Sequence, residues 1–188
     1  MHTFNNQEAP TTLVIALPNS NEYFEYYGGY IQRAHARGDV LAALPKQIDE
    51  IKSALGNLSD EQALFRDAPN EWTIKEVMGH MNDVERVFAY RLLCISRNDQ
   101  TPLPGFEQDD YVRESGFNNY PISDLVSEFE LMRRANILAI KNMSTESTLR
   151  LGTASGNPVS ARALIYILVG HVEHHMASLH EKYLPKIN

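Results

Sequence analysis

The 188 residues carry 43% hydrophobic and 22% charged side chains, enough apolar material for the core of one domain and too much for a disordered chain. The formal net charge is −7 and no run of Lys or Arg exists that could track a phosphate backbone, so nucleic acid is not an expected partner. The single cysteine, Cys94, excludes an internal disulfide and fits a cytoplasmic setting, and neither a signal peptide nor an apolar stretch long enough for a membrane span is found.

Residues 1–22, with Pro10, Pro18 and the Asn19-Ser20-Asn21 run, read as an extended arm leading into a domain over 23–188. From Glu22 to Arg37 the aromatic residues Tyr23, Phe24, Tyr26, Tyr27 and Tyr30 recur at mixed spacing, broken by Gly28-Gly29, which predicts a short or irregular helix. Val40, Leu41, Leu44, Ile48, Ile51 and Leu55 then follow a helical period, predicting an amphipathic helix over 39–56 with Pro45 as an early kink. Ser59 and Gln62 have the spacing of a capping box for a short helical turn. Thr73 and Glu76 repeat that spacing and open a helix to about Arg97, with Val77, His80, Val84, Val87 and Cys94 on one stripe.

Residues 101–111, bounded by Pro102 and Pro104, predict an irregular loop crossing an end of the bundle. Leu125, Phe129, Met132, Ile137 and Ile140 predict a further helix from Ser123, its N-cap, to about Met143. Gly152, Gly156 and Pro158 mark a turn or small hairpin, after which Ser160 caps a last helix that runs to about Tyr183 and is stopped by Pro185.

Four of the seven histidines fall between His171 and His180. At about 100° per residue, His171 and His175 lie within roughly 40° of Leu164 and Leu168 on the apolar face, whereas Glu173 and His180 point nearly opposite and His174 lies on the flank. A histidine pair at i and i+4 is the spacing metal sites on helices use, and His80, central on another apolar stripe, is the natural third ligand. A lone histidine on an apolar face is more often a hydrogen-bonded core residue. Three together would each need a partner in a dry core, a need that ligation of one divalent ion meets at once. A buried polar network and a titrating histidine cluster remain the alternatives.

Asp83, three residues after His80, is a candidate to accept a proton from a ligand imidazole or a water, against the blander reading of a solvated position. Arg91 is a candidate to bind an anionic substrate or pair with a carboxylate, against an arginine snorkelling at the end of the bundle. Tyr90, Phe106 and Tyr111 are candidates for a pocket wall as well as for core. Cys94 reads as a buried, inert thiol.

The stretch WTIKEVMGHMND from Trp72 to Asp83, the run Gly170-His171-Val172-Glu173-His174-His175, the segment from Thr101 to Phe106 and that from Gly152 to Gly156 together resemble DinB-like proteins of the DinB/YfiT superfamily over about residues 23–184. The resemblance implies an all-α four-helix bundle of up-down-down-up order, often a homodimer, with His80, His171 and His175 at the positions of three histidines that hold zinc, nickel or a similar divalent transition metal. It further implies a metal-dependent enzyme acting on a small-molecule substrate. The ion would activate either a low-molecular-weight thiol, as in thiol transferases, or water, as in hydrolases. The rival expectation is a non-catalytic metal-binding or dimerisation module, for which the site would be closed to solvent.

Overall fold

Residues 13–187 are described by a computed structural model, so most of the expected arm lies outside the described residues. From Leu13 to Asn19 the chain is irregular but anchored: Ile15 is buried, and its carbonyl accepts from the Tyr166 phenol at 3.2 Å. Two 3₁₀ turns follow, Ser20–Glu22 and Glu25–Tyr27, and helix α1 spans Gly28–Ala36. Gly28-Gly29 therefore begins a regular helix instead of breaking one.

Gly38, with φ of 79°, reverses the chain, and the Asp39 carboxylate accepts from the Leu41 amide to cap α2, Val40–Leu55. The Ser59/Gln62 box forms reciprocally, with bonds of 2.9 and 3.1 Å, before the 3₁₀ turn Gln62–Leu64. Thr73 and Glu76 do the same at the start of α3, Ile74–Ser96. The end of the expected loop is helical: α4 spans Gln108–Ser115 and overlaps its last residues.

Helix α5, Ile122–Lys141, begins before Ser123, whose carbonyl instead accepts from Ser127 within the helix. The cap comes from elsewhere in the chain, because Asp60 accepts from the Ile122 amide at 2.8 Å while also pairing with the buried Lys75 of α3 at 3.0 Å. A short helix α6, Thr145–Thr148, capped by Ser144, precedes the hairpin β1 (Leu151–Ala154) and β2 (Asn157–Ser160). Ser155 and Gly156, with φ of 52° and 76°, form its two-residue turn, as a tight antiparallel hairpin requires. Leu103 pairs alongside Ala154, which brings the 101–107 loop beside the hairpin at the C-terminal end of α3. Ser160 then caps α7, Ala161–Ser178, which continues as a π-helical turn over Leu179–Tyr183 and ends in the 3₁₀ turn Leu184–Lys186 that contains Pro185.

The bundle consists of α2, α3, α5 and α7, with α1 laid across α7. Side-chain contacts fix the directions. Gln47 reaches the Val169 carbonyl, and Ser53 and Ala54 lie with His180, so α2 and α7 run parallel. Asn82 meets Leu125 and Glu85 meets Arg133, so α3 and α5 also run parallel, while Gln47 with Arg133 and Lys52 with Glu130 make α2 and α5 antiparallel. The order is up-down-down-up.

The apolar interior is divided in two. One cluster gathers Ile31, Leu44, Val84, Phe88, Leu92 and Leu164, the other Ile48, Met78, Met81, Leu125, Phe129 and Val172. Between them lies a polar layer drawn from all four helices. Arg133, fully buried, donates to both Glu85 oxygens at 2.9 and 2.7 Å, to Gln47 at 2.8 Å and to the Leu168 carbonyl at 3.2 Å; Asn136 also donates to Glu85. Its guanidinium lies 4.8 Å from the centre of the Phe129 ring. These bonds to each of its three nitrogens make such a buried cation tolerable in an apolar core.

A second buried ion pair ties the N-terminal segment to the bundle. Glu22, with a side chain 10% exposed, accepts from Arg162 and from the Ser160 hydroxyl. The Arg162 hydrogen bonds are the main reason its carboxyl is held down at about 2, from an ordinary 4.5. The contribution to stability is complete above pH 4.5 and disappears as the pH falls through 2. Its size is on the order of 3 kcal/mol. Acid unfolding of a Glu22→Gln variant should show this directly: the stability gap to the parent at neutral pH should close between those two values. A gap that is constant with pH would contradict the pairing.

Candidate metal centre and adjoining cavity

His80 enters the interior from α3, and His171 and His175 enter from successive turns of α7. The His171 Nε2 lies 3.0 Å from His80 Nε2 and 3.1 Å from His175 Nε2. All three rings offer a nitrogen within 4.8 Å of the other two. His80 and His171 are buried and His175 is partly so. Trp72 packs against His80, with ring centres 4.9 Å apart, and Tyr30 stands edge-on to His171 at 5.5 Å.

Burial sets the protonation of the cluster. It brings His80 down to about 4 and holds His171 and His175 well below the usual histidine range, with repulsion from the neighbouring imidazoles adding to the effect. The rings are therefore neutral at physiological pH. A single proton between two nitrogens can serve only one contact of the trio, so the converging lone pairs lack a full set of donors. The donor set fits a divalent transition metal, which takes neutral imidazole nitrogens from such a cluster.

The backbone that places His171 is unusual at one point. The Tyr30 carbonyl of α1 lies so close over Gly170 that a Cβ there would be 1.9 Å from its oxygen. This contact holds α1 down on α7 and brings Tyr30 to the histidine one residue later. A cavity of about 290 Å³ reaches His171, lined further by Tyr26, Tyr27, Tyr30, Phe88 and Phe106 and by Glu107 and Asp109 at the start of α4. Phe106 separates it from a groove of about 270 Å³ lined by Tyr90, Arg91 and Tyr111.

Of the residues singled out from sequence, His80, His171 and His175 meet, and Phe106 borders their cavity. Tyr90 and Tyr111 line the adjoining groove only. Asp83 is half-buried, which raises its carboxyl above the ordinary value, and it makes no hydrogen bond to the three imidazoles among the described residues. Arg91 is buried, not snorkelling: it donates to the Pro104 carbonyl at 2.8 Å and the Ser155 hydroxyl at 3.0 Å, pinning the 101–107 loop to the hairpin turn. Glu173 does not face outward but accepts from Gln47 at 2.7 Å and lies 3.5 Å from Arg37. The sequence marks Tyr26, Tyr27 and Tyr30 only as part of an irregular aromatic run and assigns Arg133 no role. A signal existed for Arg133, which lies four residues after Phe129 on the same stripe of α5.

Comparison with known proteins agrees with this architecture. The family model of the DinB superfamily matches residues 43–179. Among solved structures, YfiT from Bacillus subtilis, described as a probable metal-dependent hydrolase with an unusual four-helix bundle topology, is similar with a TM-score of 0.66. The two are 15% identical, and the likeness covers 90% of each chain. No curated protein matches the sequence. No helix among the described residues is long and apolar enough to cross a membrane. The family match spans three of the four bundle helices completely and nearly all of α2, and the bundle order is the one expected for that family: the chain belongs to the DinB superfamily.

Proposed function

We propose that the chain is a metal-dependent enzyme in which His80, His171 and His175 hold one divalent transition ion, zinc or nickel, and that its reaction is hydrolysis or transfer of a low-molecular-weight thiol. The observation that carries this reading is the convergence of three neutral imidazoles, two of them buried and the third partly so, beside a cavity open to a small molecule. A bound ion would supply Lewis acidity, allowing water or a thiol to lose its proton near neutral pH. YfiT, described as a probable metal-dependent hydrolase, supports the hydrolytic branch.

The chain's own residues supply the rest. The buried layer fixes α7, because Arg133 and Gln47 bind the carbonyls of Leu168 and Val169, three and two residues before His171. Trp72 on His80 and Tyr30 on His171 limit ring rotation and exclude water from those sides. The aromatic wall orients a substrate at His171. That opening favours an enzyme over a closed binding module.

Elemental analysis of untagged protein should find about one transition-metal ion per chain, and none in a His80→Ala, His171→Ala, His175→Ala variant. Loaded protein should cleave ester or amide substrates, or join electrophiles to a thiol, faster than His171→Ala. Metal-free parent protein that also refuses added zinc and nickel would end the proposal.

A further inference from the structure

We infer that the cavity beside His171 selects an organic cation: a ligand whose ammonium or amine group, carried on an apolar body, sits among Tyr26, Tyr27 and Tyr30 with Glu107 and Asp109 at the rim. The inference rests on the proposed function only in taking this cavity as the substrate site.

The walls are arranged for a cation. Tyr26 stands nearly perpendicular to Tyr27 and to Tyr30, at 5.3 and 6.2 Å between ring centres, and Tyr27 stands nearly perpendicular to Phe88 at 5.9 Å. An aromatic wall of this kind attracts a cation carried on an apolar body, because each ring offers apolar surface and an electron-rich face. The cavity, about 290 Å³, suits a small molecule.

The charge of the lining points the same way. It includes two carboxylates and neither Lys nor Arg. Among the described residues Glu107 and Asp109 make no ion pair, although the adjacent Asp110 and Glu114 are both engaged by Arg113. Arg91 stands behind the wall, 5.0 Å from the centre of the Phe88 ring and 5.9 Å from that of Phe106, but its donors are turned to Pro104 and Ser155 and it does not line the cavity. Arg33, which acts on the Tyr30 phenol, does not line it either. In the metal-free protein an anionic ligand would meet two carboxylates with no Lys or Arg of the lining to offset them, and a neutral one would gain apolar burial alone. A cation gains from both the rings and the carboxylates.

Three probes of nearly equal shape separate these cases: choline, the neutral 3,3-dimethylbutan-1-ol and the anionic 3,3-dimethylbutanoate. Their binding is followed by calorimetry or ligand-observed NMR on the full chain, both zinc-loaded and chelator-treated, with metal content measured on the same samples. Choline should bind about tenfold more tightly than the alcohol, and the carboxylate least tightly. A Glu107→Gln, Asp109→Asn variant, altered only at exposed positions, should lose most of that advantage while melting like the parent, and Tyr26→Leu should weaken choline more than the alcohol.

Equal binding of choline and the alcohol, or tighter binding of the carboxylate, would overturn the inference. Preference for choline by a protein that takes up no metal would sink the metal reading and leave this one standing. Metal uptake without that preference would do the reverse.

Discussion

Replacement of Arg133 by methionine should lower the unfolding free energy of metal-free protein by about 3 to 5 kcal/mol, measured by urea unfolding. The cost does not come from losing a favourable ion pair as such. Arg133 and Glu85 are 0% and 2% exposed, so removing the cation leaves a carboxylate in the core whose one remaining donor among the described residues is Asn136, and leaves Gln47 and the Leu168 carbonyl short of a partner. The companion variant Glu85→Leu, Arg133→Met should recover a large part of the loss, since desolvation of both charges then disappears. If Arg133→Met alone cost less than about 1 kcal/mol, the range of an exposed pair, the layer would not be buried as described.

Gly170→Ala should cost about 3 kcal/mol, although helix propensity taken alone favours alanine by about 1 kcal/mol. The steric term wins because the obstacle is backbone: the new Cβ would lie 1.9, 2.5 and 2.8 Å from the oxygen, carbonyl carbon and Cα of Tyr30. Only movement of α1 away from α7 relieves that overlap, and the movement takes Tyr30 off His171 and opens the cavity wall. Thermal melting and probe binding should therefore fail together. Gly79→Ala is the instructive contrast, since its Cβ meets the Phe117 ring at 2.3 Å, a side chain with room for adjustment that backbone lacks, and its cost should be smaller. At Gly29, where nothing lies within 4 Å, alanine should be neutral or stabilising. A Gly170→Ala variant as stable as Gly29→Ala would refute the close crossing.

Much of the bundle was legible because its signals are local. The boxes at Ser59/Gln62 and Thr73/Glu76, the Ser160 cap and the small hairpin marked by Gly152, Gly156 and Pro158 each depend on residues a few positions apart, and each appears in the structure. So does the i, i+4 pair of His171 and His175, whose common face follows from helical geometry alone. What failed depends on partners distant in sequence. Ser123 looked like a cap, but Asp60 supplies the acceptor for α5 from the far end of another connection. Glu173 pointed away from Leu164 on its own helix, but the direction of one helix face says nothing of Gln47 and Arg37 arriving from outside it. Helix α4 went unrecognised because it buries only Val112 and thus has no apolar period to read. The tyrosines showed no period either, because they act as a wall and not as a stripe.

The parallel course of α3 and α5 has a consequence for how such a chain could change its chemistry. Two neighbouring helices that point the same way cannot be joined by a tight turn; the chain must travel back along α3, a distance of about 35 Å, before α5 can start. Residues 97–121 make that return journey, and on the way they deliver Phe106, Glu107 and Asp109 to the cavity. The three histidines reside on helices at either side and contribute nothing to this segment. On the proposed function, the return connection and part of the cavity lining are thus written in one stretch of chain and the metal ligands in others. A lineage that keeps the bundle and rewrites only its return strap could acquire new substrates without rebuilding the centre that acts on them.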